Sequence, residues 1–127
     1  MLSMVNGTPN KMKPLKILLT LLTLLALTSC SKPAKDLSSY ESARAWISSE
    51  YTAEVMEPSS RDIHRVEYYP GSPRQWLIVY FNSNKSKGYL YQKFPSSLWA
   101  DWKAADSKGK WYKLNLKGNR TYFFTPE

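Results

Sequence analysis

The 127-residue chain sets 18 lysines and arginines against 10 acids, a net charge of +8, and 14% of its residues are aromatic. That length allows one domain with a leader or tail. A single cysteine, Cys30, excludes an internal disulfide and any multi-cysteine zinc site, and a single histidine, His64, argues against a histidine-based metal centre.

Taken from the N-terminus, Lys11, Lys13 and Lys16 precede the run ILLTLLTLLAL, after which Thr28 and Ser29 lead to Cys30. A cationic stretch, about 11 apolar residues and then small residues form a secretory signal pattern. The run is shorter than the ~20 residues a membrane-spanning helix needs. It has no polar face, unlike the helix of a soluble core. Residues 1–11 are an odd prefix, since MKPLKILL is the more ordinary opening of such a leader. The sequence Leu27-Thr28-Ser29-Cys30 resembles a bacterial lipobox. That resemblance implies cleavage before Cys30, diacylglycerol on its sulfur and acylation of the new amino group. Several acyl chains at ~0.8 kcal/mol per buried CH₂ hold a protein stably to a bilayer. Ser31 stands where an inner-membrane retention signal would have aspartate, so the resemblance favours the outer membrane, facing the periplasm.

Residues 1–29 therefore read as a signal peptide and 30–38 as a lipidated flexible tether rich in Ser, Lys and Pro. The charge after the leader is uneven. Residues 30–60 hold three bases and five acids, whereas 61–127 hold twelve bases and five acids. Ser38 and Glu41 fit a capping box, and Ala43, Trp46, Ile47, Tyr51 and Val55 continue at near-helical spacing. This predicts a helix over 39–57 that docks Trp46 and Ile47 on the domain C-terminal to it.

From Arg61 the period shortens to two. Strands are predicted over 63–69 and 76–81, the latter with Leu77, Val79 and Phe81 on one face, separated by Pro70-Gly71-Ser72-Pro73. Residues 82–88 read as a polar hairpin loop and 89–94 as a third strand. Pro95 then opens a helix that buries Leu98, Trp99, Trp102 and Ala105 and stops at Gly109. A helical turn over 113–117 and an extended end complete the chain. The expected fold is α+β, a small three-stranded antiparallel meander packed against helices on one face, after the N-terminal helix.

These residues, in this order, resemble the KTSC domain, a small bacterial domain named for its place at the C-terminus of some lysyl-tRNA synthetases. The resemblance runs from about Ser60 to Phe124, within a domain read as 60–127. It rests on Ser60, Ile63, Val66 and Tyr68; on Leu77-Ile78-Val79-Tyr80-Phe81; and on Tyr89 and Tyr91. It continues through Phe94-Pro95, Leu98, Trp99, Ala105, Ser107 and Gly109 to Trp111-Tyr112 and Leu116-Lys117. Two positions depart from the family pattern: Lys113 replaces an asparagine, and Phe94 replaces a β-branched residue. The resemblance implies a domain without established catalysis, for which RNA binding has been suggested.

Catalytic constellations are sparse. Asp62 and His64 lie two apart on a predicted strand, where the carboxylate could orient the imidazole, but no serine or cysteine nucleophile is supplied beside them. Asp101 and Asp106 are expected to balance Lys103 and Lys108, and no glycine-rich phosphate loop occurs. The chain is therefore expected to be non-enzymatic and to need no cofactor beyond the lipid on Cys30.

Binding is better supplied. Lys85, Lys87, Lys93, Lys110, Lys113, Lys117 and Arg120 are candidate polyanion contacts, and Tyr89, Tyr91, Trp111 and Tyr112 are candidate aromatic contacts. Bases beside aromatic platforms hold single strands, each stacked base contributing ~1–3 kcal/mol. Strand alternation puts Tyr89 and Tyr91 on one face, to serve either as core, their hydroxyls hydrogen-bonded, or as ligand platforms. The expected partners are the bilayer through Cys30 and a polyanion, either nucleic acid in transit or an acidic envelope component. The alternative is an envelope protein that this chain, as a monomer, recruits or blocks in the manner of small phage- or plasmid-borne lipoproteins.

Overall fold

The computed structural model describes residues 31–127; the leader and Cys30 lie outside the described residues. Residues from Pro33 to Glu127 form one compact unit. Helix α1 is Tyr40–Glu50, capped by Ser39, whose hydroxyl accepts the Ser42 N–H at 3.1 Å. The expected cap one residue earlier does not form, because Ser38 donates both its N–H and hydroxyl to Asp36.

The helix is shorter than the spacing predicts. Tyr51 is extended, and Glu54–Met56 form strand β1 instead. Here pairing outweighs local periodicity: Glu54, Val55 and Met56 stand opposite Tyr68, Glu67 and Val66. Strand β2 is Ile63–Tyr69, β3 is Trp76–Phe81 and β4 is Asn84–Tyr91. The sheet is an antiparallel meander in the order β1-β2-β3-β4, so it has four strands rather than three. The hairpin between β3 and β4 is only the Asn82-Ser83 turn, and the polar stretch from Asn84 to Gly88 belongs to β4. An edge strand tolerates such polar residues because its far side faces water.

β4 also ends earlier than expected. Lys93 takes a left-handed φ of 58°, and Gln75, just before β3, takes 49°. The two kinks face each other, since Lys93 N–H donates to Arg74 O and Phe94 N–H to Gln75 O. Helix α2 is Ser96–Ala104, directly after Pro95, and helix α3 is Lys108–Asn115. Gly109 is not the stop of α2. It lies buried in the first turn of α3, where an added Cβ would stand 3.4 Å from Asp62 Oδ2 and 3.5 Å from Ser60 Oγ. The left-handed position after a helix falls to Gly118, at φ +76°. A 3₁₀ turn, Arg120–Tyr122, comes next.

Helices cover both faces of the sheet, not one. On the first face Val66, Tyr68, Leu77, Val79 and Tyr91 pack with Trp99 and Trp102 of α2 and Trp111 of α3. On the second, Tyr69, Trp76, Ile78 and Leu90 lie under Ala43 and Ile47 of α1, joined by Phe124. The aromatic load builds these layers. Trp102 and Trp111 stack with centroids 4.8 Å apart, and the Tyr68 hydroxyl donates to Phe94 O at 2.8 Å. The last residues return to the segment before α1: Glu127 N–H donates to Leu37 O at 2.9 Å, and its carboxylate pairs with Arg74 at 2.7 Å.

Candidate functional site

The four candidate aromatic residues divide. Tyr91 is 5% exposed, with its hydroxyl 3.3 Å from that of Tyr112, and burial drives its phenol far above the ordinary range. Trp111 is core, and its indole N–H donates to Asp101 at 2.7 Å. Asp101 thus orients a tryptophan rather than balancing Lys103, whose ammonium instead lies 5.4 Å over the Trp99 ring. Lys108 is likewise occupied, donating to the Ala105 and Lys103 carbonyls at the end of α2. Tyr112 is half-buried, and only Tyr89 of the four is open, at 42%.

The expected pairing of Tyr89 and Tyr91 in one environment therefore holds for the strand face but not for burial. Both point to the α2–α3 side, yet Tyr89 lies beyond the cover of α2 and α3. Its ring meets Phe81 at 5.3 Å, and Phe81 meets Tyr112 at 5.1 Å. The Lys87 ammonium sits 5.0 Å over the Tyr89 ring. A continuous ring path thus runs from β4 to α3, where Lys110, Lys113 and, just beyond the helix, Lys117 recur at three- and four-residue steps and are exposed. Lys85 is exposed on the same strand as Lys87.

Not every candidate base joins this surface. Lys93 lies past the opposite end of β4. Arg120 opens the 3₁₀ turn, whose Tyr122 O accepts Gln92 N–H at that same end. Lys113 pairs with Asp62 at 3.5 Å, both groups being well exposed, so the contact adds little stability and leaves the ammonium available. Asp62 is engaged by Lys113 and Arg61 rather than by His64, and it precedes β2 instead of sharing its face. Among the described residues no three of His, Cys, Asp and Glu gather into a metal-binding group, and no helix is long and apolar enough to cross a membrane.

A further feature was not read from the sequence. A cleft of about 840 Å³ runs along the outer edge of β4, walled by Tyr40 and Arg44 of α1 on one side and by Tyr89 and Phe123 on the other. Its available signal was that Tyr40 falls off the buried stripe of α1 and that Phe123 adjoins the buried Phe124.

The family model of the KTSC domain matches residues 59–122. No curated protein and no solved structure matches the chain. The match takes in the sheet from β2 to β4, α2, α3 and the ring path between them, and with half of its length so covered the chain belongs to the KTSC domain family.

Proposed function

We propose that this chain is a non-enzymatic lipoprotein, anchored to the envelope membrane through lipid on Cys30, whose KTSC domain binds a polyanion. The observation that carries this reading is the ring path Tyr89–Phe81–Tyr112, with Lys87 over one end and the Lys110, Lys113 and Lys117 stripe at the other. One exposed ring flanked by exposed lysines suits a phosphate-bearing strand, which stacks a base and neutralises charge together. The periplasmic side of an outer membrane offers nucleic acid in transit and acidic envelope polymers, rather than cellular RNA.

The test is the salt dependence of binding to a fluorescent oligothymidylate. Neutralising about four phosphates gives a log–log slope of roughly −3 on a single strand. Charge reversal at Lys87 and Lys113 together should reduce that slope, whereas reversal at Lys93 should not. Undetectable binding at ~50 mM salt refutes the reading. A second reading, a protein-interaction module that recruits or blocks an envelope partner, is favoured by the cleft along β4.

A further inference from the structure

The edge of β4 and the cleft along it point to a ligand of a different kind. In an antiparallel ladder, successive residues turn their N–H and C=O groups alternately toward one neighbour and the other. Gln92 donates its N–H to Tyr122 O at 2.8 Å, away from β3. Gly88 shares that phase, so its backbone groups face the cleft, whereas Leu90 stands opposite Phe124 in the register of the Tyr91–Phe123 bridge. The one residue bridge on this side, among the described residues, is Tyr91 with Phe123. Phe123 thus begins a fifth strand that the chain abandons, because Glu127 is drawn away to Leu37 and Arg74. The edge left open runs from Tyr89 back to Asn84, with a register shift against β3 between Tyr80 and Phe81.

The walls match this open edge. Five large apolar side chains stand exposed among the described residues: Tyr40, Val55, Tyr89, Leu114 and Phe123. Three of them, Tyr40, Tyr89 and Phe123, line this one cleft. They lie on both sides of the β4 backbone, as the alternating side chains of an added strand require. The charges choose the occupant. Arg44 and Lys87 line the cleft against the lone acid Glu41, and Lys85 adds a further positive charge on β4. A second copy pairing β4 antiparallel with β4 about Ser86 would set Lys85 of one copy against Lys87 of the other, the usual way a lysine-bearing edge is kept from self-association.

We propose that the β4 edge docks an extended acidic segment of a partner protein as a fifth strand, its apolar residues seated on Tyr40, Tyr89 and Phe123 and its carboxylates on Lys87 and Arg44. The backbone supplies register and the walls supply selectivity. This site differs from the polyanion surface in needing Tyr40 and the strand edge, which a phosphate strand does not.

The probe is a fluorescein-labelled nine-residue peptide, capped at both ends, alternating aspartate with valine and tyrosine. It is titrated by anisotropy against the full chain in non-ionic detergent. Saturable binding is expected, about tenfold weaker for Lys87→Glu, each tenfold being one decade in Kd. Tyr40→Ser should weaken it severalfold while leaving oligothymidylate binding unchanged. Both side chains are exposed, and unchanged melting temperatures verify that the variants fold. A peptide N-methylated at alternate amides should not bind, and hydrogen exchange at Gly88 should slow at least about tenfold with the parent peptide bound. Failure to saturate by about 1 mM, a Kd far weaker than peptide docking needs, overturns the proposal. So does equal binding of the N-methylated peptide or of a lysine-for-aspartate peptide. Dimers that protect the same amide without peptide would give the edge to a second copy and overturn it too.

Discussion

Gly88 stands where α1 crosses β4, and replacing it by alanine tests how closely those two elements approach. A Cβ at this position would lie 2.7 Å from Ile78 Cγ2, 2.9 Å from Arg44 Cδ and 3.1 Å from Tyr80 Cε1. The three neighbours differ in how readily they yield. Arg44 is half-buried and flexible, so its methylene swings aside at small cost. Ile78 is fully buried among Tyr69, Trp76 and Ile47 and has nowhere to move. Overpacking of this sort costs ~1–3 kcal/mol. Alanine returns ~0.4–1 kcal/mol by restricting the unfolded chain. The net expectation for Gly88→Ala is a loss of about 1–2 kcal/mol, which at roughly 4–8 °C per kcal/mol lowers Tm by about 5–15 °C. Urea titration of the single variants and of the pairs with Ile78→Ala and Arg44→Ala measures the couplings. Ile78→Ala alone costs ~2–5 kcal/mol, but paired with Gly88→Ala it should show a favourable coupling of about 1 kcal/mol. Arg44→Ala should recover less. A Gly88→Ala protein as stable as the parent refutes the close approach, and one rescued by Arg44→Ala and not by Ile78→Ala refutes the assignment of the cost to Ile78.

Two further outcomes are expected. Burial pushes the Tyr69 phenol up to about 12 and raises those of Tyr68, Tyr80 and Tyr91 as well. Because these folded-state values lie above the ordinary 10.0, the stability they contribute is fully present below pH 10 and is lost as pH rises toward 12. Melting temperatures across that window should fall for the parent and fall less steeply for Tyr69→Phe; parallel curves would contradict the assignment. For the anchor, Cys30→Ala should abolish incorporation of labelled palmitate and release the chain from the membrane fraction, and unchanged labelling would remove the lipoprotein reading.

The residues differ in how much they disclosed by themselves. β3 was legible because Trp76 to Tyr80 form an unbroken apolar run, and a strand buried on both faces requires one. That same run also implied a second covering layer, which the expectation of helices on one face overlooked. β1 was hidden because Tyr51 and Val55 continue the helical spacing of Trp46 and Ile47. Only the partners on β2, distant in sequence, reassign them. The start of α3 was masked by Gly109, which reads as a helix stop but lies in the first turn of α3, packed against Ser60 and Asp62. Of the candidate site, the lysines on β4 and α3 could be named from sequence. Which of them share a surface could not, because that depends on Phe81 bridging Tyr89 and Tyr112. The burial of Tyr91 beside the exposure of Tyr89 has the same origin: it depends on where α2 and α3 cease to cover the sheet, a boundary no strand pattern encodes.

The hydrogen bond from Glu127 to Leu37 carries a mechanical consequence. Were lipid on Cys30 to hold the chain as proposed, force arriving through residues 33–36 would meet, at Leu37, the C-terminal segment before the sheet. A little further along the chain, Tyr40 rests edge-on against Phe124 at 6.0 Å, and Phe124 leans on Trp76 at 5.0 Å. With the chain anchored as proposed, tension would therefore be borne first by the aromatic wall of the β4 cleft. A pull that separated Tyr40 from Phe124 would change the width of that cleft while the sheet itself stayed intact, making the leash and the groove parts of one lever.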